Sequence, residues 1–129
     1  MNTLTAVGAV TNLDQIEGEA ITPLATRRIV PGEKMMLVHW EMKKGADSAA
    51  HQHPHEQLVY VMSGKLKLRV GDEWHILGPG GVVMIPGGVV HQADVLEDAR
   101  VVDVFSPPRE DFLGGGTPAY FQDVDKKKA

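Results

Sequence analysis

The chain has 129 residues, of which 43% are hydrophobic and 23% are charged. This is the balance of one ordinary globular domain and excludes a disordered or fibrous chain. The net charge of −4 excludes nucleic-acid binding driven by bulk positive charge. The absence of cysteine excludes disulfide bonds and thiolate metal sites, so a metal here must be held by histidine, carboxylate or amide groups.

The distribution of apolar residues gives no sign of a membrane or a secretory signal. Residues 1–11 carry no positive charge and no sustained apolar core, unlike a signal peptide. The longest apolar stretches, such as residues 80–85, are far shorter than the roughly 18 residues of a membrane span. We therefore expect a cytoplasmic protein with neither a membrane nor a nucleic-acid partner.

The pattern along the chain predicts an all-β domain. Short apolar runs rich in β-branched residues are separated by glycine and proline turn signals, which is typical of a sandwich or barrel. We expect one domain over 1–129, with a core at about 24–113, an N-terminal arm or edge strand at 1–23 and a C-terminal tail at 114–129. Strands are predicted at 34–42, 58–62, 65–70, 74–77, 82–85, 89–95 and 100–105.

Two turn signals surround the strand predicted at 65–70. This strand alternates strictly between cations and apolar residues, so its apolar side chains are expected to face a core. Gly71-Asp72 predicts a hairpin to the next strand, and Ser63-Gly64 predicts a turn before it. Further on, residues 109–113 are expected to form a single helical turn.

Three of the six histidines fall within five residues, at His51, His53 and His55, and Gln57 follows two residues later. Side chains two residues apart on a strand point to the same face, so His51 and His53 can converge on one cation at ~2.0–2.1 Å per nitrogen. His91 is a candidate for a further nitrogen from a later strand. By itself the cluster leaves open whether these histidines bind a metal or are unconnected surface residues.

The residues around these histidines have the spacing of two known motifs. The first is formed by Gly45, His51, His53, Gln57 and Gly64, with Gln57 where glutamate is usual. The second is formed by Gly80, Pro86, Gly88 and His91, with Val95 where asparagine is common. The sequence therefore resembles the cupins, which implies a double-stranded β-helix or jelly-roll barrel. The resemblance also implies one divalent transition metal held by His51, His53, Gln57 and His91.

Glutamine in place of glutamate changes the charge of this implied site. Three imidazoles and an amide oxygen are all neutral, so a divalent ion would keep its full charge and act as a stronger Lewis acid toward a substrate oxyanion. The site lacks the carboxylate of the triad that suits iron oxygenases, which disfavours an oxygenase. These donors accept nickel, zinc, iron, manganese or cobalt, so the sequence does not identify the metal.

The last predicted strand places Asp103 and Phe105 on one face. The pattern alone predicts that Asp103 faces solvent, because ionised carboxylates are rarely buried unpaired. In a barrel with a metal pocket, the same carboxylate would face the cavity as an acid or base, with Phe105 as an apolar wall. Arg109 follows a stiff Ser-Pro-Pro connection. It is either a ligand for a substrate carboxylate or the partner of Glu110 or Asp111 in a surface salt bridge.

Two local strings, at 51–58 and 103–112, extend the resemblance beyond the general motifs. They are similar to the pectin-degradation cupins of the KdgF type, which open the ring of 4,5-unsaturated monouronates from pectin or alginate to give linear keto sugars. The resemblance covers about residues 35–113. It implies Asp103, Phe105 and Arg109 as the catalytic set and a small carbohydrate acid as the substrate. Together with the N-terminal segment, it also predicts a strand-exchanged homodimer.

Two other functions stay open at this point. One is a different cupin metalloenzyme, such as a dioxygenase or a small-carbonyl isomerase, because a fold does not fix a function. The other is a non-catalytic cupin that binds a sugar or a metal. The sequence assigns no role to His55, Glu56 or His39, although His55, beside Pro54, is expected to be partly exposed.

Overall fold

The computed structural model describes residues 8–114 of the chain. These residues form antiparallel strands almost throughout, with a 3-10 turn at Leu13–Gln15 and one short helix, α1, at Glu110–Leu113. The strands are β1 (Glu19–Thr22), β2 (Ala25–Pro31), β3 (Met36–Met42), β4 (Glu56–Val70), β5 (Glu73–Leu77), β6 (Val82–Ile85) and β7 (His91–Ser106).

Strands β4 and β7 are long, pair with each other along their length and belong to two sheets at once. The first sheet runs β1-β2-β3-β7-β4-β6 and uses the second half of β7 and the first half of β4. The second sheet uses the other halves, with β5 at one edge and two isolated bridges, Asp47–Asp94 and His51–His91, at the other. Two sheets joined in this way form a jelly-roll barrel, so the predicted all-β fold class is confirmed.

Strand β4 bends where its register shifts, between Val61 and Leu66. Gly64 lies at the bend with a φ of 83°, a conformation that favours glycine. A Cβ atom there would lie 2.1 Å from the carbonyl oxygen of Asp98. The predicted turn at Ser63-Gly64 is therefore wrong, because this glycine permits a bulge inside one continuous strand.

Other expectations along the chain have mixed outcomes. Strand β7 joins the two strands predicted at 89–95 and 100–105. Strand β2 is not predicted at all, since the adjacent Arg27 and Arg28 obscure its alternation. The hairpin at Gly71-Asp72 is confirmed by the pairing of β4 with β5, and the expected helical turn is present as α1.

The core lies between the sheets and is built from alternate residues of their strands. Leu66 and Leu68 are buried and Val70 packs against them, as the alternation of β4 predicts. Each fully buried aliphatic side chain contributes about 1.5–3 kcal/mol. Strand β2 also turns Arg27 into this interior, where it is fully buried.

The first sheet has an apolar surface on the side away from the core. Side chains directly opposite one another on neighbouring strands form an unbroken apolar row across β2, β3, β7, β4 and β6. A second apolar row beside it covers β7, β4 and β6, and its line continues as His39 on β3 and Arg28 on β2. The two outermost members, Val82 and Met84, are 55% and 52% exposed. We call this surface the outer face; its residues are Val30, Leu37, Leu58, Tyr60, Val82, Met84, Val102 and Val104.

Residues 1–7 and 115–129 lie outside the described residues, and with them lie the start of the expected arm and almost all of the expected tail. The part of the arm that is described includes β1, which pairs only with β2 at the edge of the first sheet. Among residues 8–114, no helix has the length and apolar character needed to cross a membrane.

Candidate metal centre

The fold brings three of the predicted metal ligands together. His51 and His91 face each other across an isolated bridge, and each donates its backbone N–H to the other's carbonyl at 2.9 Å. The ring centroid of His53 lies 4.9 Å from that of His91. One ring nitrogen from each histidine lies within 4.8 Å of the other two. Three nitrogens grouped this closely could hold one metal ion.

Each of these imidazoles is oriented by a hydrogen bond from Nδ1 to a nearby backbone carbonyl. A carbonyl oxygen can only accept, so Nδ1 carries the proton and Nε2 is the unprotonated nitrogen. Nε2 is therefore the atom of each ring that could bind a metal. The Nδ1–oxygen distances are 2.8 Å from His51 to Ala49, 3.1 Å from His53 to His55 and 2.9 Å from His91 to Val89.

Burial keeps the three imidazoles neutral. Loss of hydration lowers the pKa of His51 and of His53 to about 4, and it also lowers the pKa of His91. The positive charge of Arg109 depresses the pKa of all three rings further. At neutral pH the histidines are unprotonated, which is the form that binds a metal.

Two observations show that these residues fit a metal ion. Nε2 of His91 is buried and has no hydrogen-bond partner among the described residues, an arrangement that is costly unless a cation binds there. In addition, Oε1 of Gln57 lies 3.1 Å from Nε2 of His53. With Nδ1 of His53 protonated, both of these atoms offer lone pairs, and a cation would satisfy both. The three histidines could therefore bind a metal ion, with the Gln57 oxygen beside them.

Asp103 faces the same cavity as this cluster. The cavity has about 630 Å³ of empty space, its open mouth included, and its lining includes His51, His91, Gln57 and Asp103. Nε1 of Trp40 donates a hydrogen bond of 3.1 Å to Oδ2 of Asp103, and the Gln57 amide donates another. The pattern-based expectation that Asp103 faces solvent is therefore wrong, because its carboxyl is partnered inside the barrel.

The environment of Asp103 tunes its acidity. Burial raises the pKa of Asp103 to about 7, against the opposing effects of the Gln57 and Trp40 hydrogen bonds and of the Arg109 charge. Both protonation states are therefore populated near neutral pH. A carboxyl in this state can accept a proton from one atom and return it to another.

Trp40 is a site residue that the sequence reasoning missed. It is buried on the same face of β3 as Met36 and Val38, and the sequence pattern indicates only an inward side chain. Its hydrogen-bond partner Asp103 stands 63 positions later in the chain. No local pattern reports a contact over that distance, because it depends on how β3 registers with β7.

Arg109 is buried next to the cavity but is not part of its lining. Its Nε and Nη2 donate to the two carboxylate oxygens of Asp111 at 3.0 and 2.7 Å. Its guanidinium carbon lies 5.0 Å from the ring centroid of Phe105 and 4.2 Å from that of Phe112, and both rings line the cavity. The salt bridge predicted as an alternative is thus present, although Arg109 itself is 4% exposed rather than on the surface. Phe105 forms an apolar wall where the alternation places it.

The residues without an assigned role lie around this centre. His55 is 5% exposed, so the expectation of partial exposure is wrong; its Nε2 lies 3.5 Å from the carboxylate of Glu110 on α1. Glu56 is exposed at the start of β4. His39 is buried in β3 opposite Val102, and burial lowers its pKa.

Comparison with known proteins agrees with this geometry. The model of the cupin domain matches residues 38–105, and the chain belongs to the cupin family. Within that family it is a cupin with a three-histidine cluster able to hold a metal ion.

Comparison with individual proteins shows which members of the cupin family this chain resembles. The chain is 32% identical to the pectin degradation protein KdgF of Dickeya dadantii over 103 residues, which is 78% of this chain and 94% of that protein. The structure of KdgF from a Halomonas species matches with a TM-score of 0.78 at 31% identity, over 81% of this chain and 98% of that one. An RmlC-like cupin from Shewanella frigidimarina gives 0.76 at 31% identity, over 79% and 93% of the two chains. The chain is thus a KdgF-like cupin.

Proposed function

We propose that the protein is a metal-dependent enzyme that opens the ring of 4,5-unsaturated monouronates from pectin or alginate and gives linear keto sugars. One observation carries the proposal. A cluster of neutral histidines shares a cavity with a partnered carboxyl, Asp103, whose pKa of about 7 suits proton transfer. The similarity to KdgF proteins supports the choice of a uronate as the substrate.

The metal ligands in this proposal are His51, His53, Gln57 and His91. All four donors are neutral, so a bound nickel, zinc, iron, manganese or cobalt ion would supply an undiminished positive charge to stabilise a substrate oxyanion. The second role of Gln57 follows from its amide. Its oxygen faces His53 while its N–H₂ group donates to Asp103, so one side chain orients both the metal site and the acid–base group.

The metal site is tested by replacing one ligand. His91→Ala removes the ring whose Nε2 lacks a partner, and we expect the purified protein to lose its metal, falling from about one ion per chain to a trace. His75→Ala is the matched control, because His75 lies on β5 with its side chain 44% exposed and should leave the metal content unchanged. Elemental analysis of both variants is the measurement. Full metal content in His91→Ala would contradict the ligand assignment.

The proposed reaction needs one group that both removes and delivers a proton. Asp103 takes the proton of the C1 hydroxyl as the bond between C1 and the ring oxygen breaks, which leaves an aldehyde at C1 and an enolate at C5. Asp103 then returns the proton at C4, and the enolate becomes the C5 ketone. The product is an isomer of the substrate, so no external oxidant or reductant takes part. Trp40 and Gln57 hold the carboxyl in place through their hydrogen bonds.

Arg109 and Phe105, the other two residues of the proposed catalytic set, favour an anionic sugar in the cavity. The charge of Arg109 depresses the pKa of all three histidines, so its positive potential reaches the histidine cluster although Arg109 also pairs with Asp111. The same potential attracts the carboxylate of a uronate. Phe105, which is 2% exposed, supplies an apolar wall for the sugar ring.

The activity is tested by following the conjugated ultraviolet band of an unsaturated galacturonate or mannuronate. We expect the metal-loaded protein to accelerate the loss of this band, and Asp103→Asn to keep the metal while the rate falls by roughly 10²–10⁴-fold. Asp72→Asn, an exposed carboxylate in the β4–β5 turn, is the control and should retain the activity. No acceleration by the metal-loaded wild type would contradict the proposed function, and oxygen consumption would indicate an oxygenase instead.

We also infer that the protein is a homodimer that associates through the outer face. Soluble monomers rarely expose large contiguous apolar surfaces, and here one row of apolar side chains crosses five strands and a second row beside it crosses three. The charges beside these rows have both signs. Arg28 pairs with Glu41 at 3.1 Å, and Glu41 lies opposite Arg100. A two-fold interface brings the same surface together from both copies, and a face that carries charges of both signs can meet itself without a net charge of one sign.

A further inference from the structure

Arg27 is a fully buried cation on β2. It is 0% exposed and lies between Ala25 and Ile29 in the inward-facing set of that strand. Its Nε lies 3.7 Å from the carboxylate of Glu19 on β1, whose side chain is 33% exposed. Removing a guanidinium from water is costly, so the other contacts of Arg27 indicate which role its burial serves.

The most informative contact of Arg27 is with Phe112 of α1. The guanidinium carbon of Arg27 lies over the Phe112 ring, 4.6 Å from its centroid, and that of Arg109 lies over the same ring at 4.2 Å. Cation–π attraction is stronger when both partners are shielded from water. Phe112 is 1% exposed and is the buried residue of α1. The attachment of α1 to the barrel therefore depends on this ring.

From Phe112 a line of contacts reaches the metal centre. The Phe112 ring packs edge-on against Phe105 with centroids 5.6 Å apart, and Phe105 packs edge-on against His53 at 5.7 Å. Arg109 lies over both phenylalanine rings. Arg27 and the predicted metal ligand His53 are thus the two ends of one series of packed side chains.

We propose that Arg27 is a positioning residue that fixes Phe112, and through it α1 and Arg109, beside the cavity. Arg27 is shielded from the cavity and does not touch the substrate. Its effect on α1 stands without any assumption about the reaction. Its effect on substrate binding rests on the proposed function, because it acts through the charge and placement of Arg109.

The first test measures α1 directly. The backbone N–H groups of Phe112 and Leu113 donate to the carbonyl of Arg109 at 3.1 and 3.3 Å, so their hydrogen-exchange rates report how firmly α1 is held. We expect about tenfold faster exchange at these amides in Arg27→Met, and a smaller increase in Arg27→Lys, which keeps the charge. Glu19→Gln is the control, because it removes the ion pair but leaves the contact with Phe112, and it should not change the exchange. Unchanged exchange in Arg27→Met would overturn the proposal.

A second variant keeps the test decisive if Arg27→Met fails to fold. Phe112→Leu preserves an apolar anchor but removes the aromatic ring, and we expect the same faster exchange at Leu113. With an unsaturated uronate, both variants should raise KM severalfold while kcat changes less and the metal content stays at the wild-type level. Arg27→Lys should recover part of the loss. An unchanged KM together with faster exchange would overturn the link from Arg27 to Arg109, whereas inactivity of the wild type would contradict only the proposed function.

Discussion

At the scale of single residues, the site depends on which nitrogen of each imidazole carries the proton. The spacing of His51, His53 and His91 predicts that their rings converge, and the structure brings them within reach of one ion. The spacing cannot predict that each Nδ1 is held by a backbone carbonyl, because that depends on the local backbone conformation. The inward position of Asp103 and its contact with Trp40 could not be predicted from alternation alone either, because they depend on how β3 registers with β7.

The raised pKa of Asp103 predicts a pH effect on stability in the metal-free protein. Asp103 binds its proton more tightly when folded, so its contribution to stability grows as the pH falls from about 7 toward 4. His51 and His53, whose pKa is lowered to about 4, act in the opposite direction, and their contribution is lost over the range from 6.5 to 4. Asp103→Asn removes only the first effect, so its free energy of unfolding should fall more steeply on acidification than that of the wild type.

Urea unfolding between pH 8 and pH 4 in the presence of a chelator measures this effect. The difference between Asp103→Asn and the wild type should change by roughly 2–4 kcal/mol across the range, since one pKa unit corresponds to about 1.4 kcal/mol. Asp72→Asn, in the exposed turn, should run parallel to the wild type. If the curve of Asp103→Asn also ran parallel, the carboxyl would not be buried as described.

At the scale of elements, one conformational signal has two structural meanings. A glycine with positive φ fits a hairpin turn, as at Gly71, and equally a bulge within a strand, as at Gly64. The sequence pattern reports that such a residue is present but not whether the chain reverses there. Strand β2 shows a different limit, because the inward-facing Arg27 interrupts the alternation that would identify a strand.

The two glycines give a matched test of this distinction. Gly64→Ala should destabilise the protein by more than about 3 kcal/mol, because the new Cβ would lie 2.1 Å from a backbone oxygen in addition to the roughly 1–2 kcal/mol of left-handed strain. Gly71→Ala has no atom within 4 Å of the new Cβ and should cost about the strain alone. Thermal and urea unfolding measure both. Equal losses would mean that β4 does not pass close to Asp98.

At the scale of the whole molecule, the jelly-roll barrel could be predicted from the sequence, since many short strands and two motifs indicate it. The outer face could not be predicted in this way, because it forms only when the register of five strands aligns their apolar residues. Alternation identifies which residues share a face of one strand, and strand order then decides whether such faces become one surface.

Met84→Arg tests whether the outer face joins two copies. Sedimentation of the wild type should give about twice the 14.0 kDa of the chain, and Met84→Arg should sediment as a monomer because it places a charge within the apolar contact. Ile76→Arg, at a 65% exposed position on β5 in the other sheet, should remain a dimer. A monomeric wild type would mean that something other than a second copy covers the outer face.

The carbonyl bonds that orient the three imidazoles have a thermodynamic consequence. Each acceptor lies only two residues from its histidine in the chain, so every ring is aimed by its own segment of backbone and not by the ion. The three histidine side chains therefore lose their rotational freedom when the protein folds, and the site is preorganised before a cation binds. The rate of metal binding at such a site should be set by how fast the ion loses its bound water, because the protein itself rearranges little.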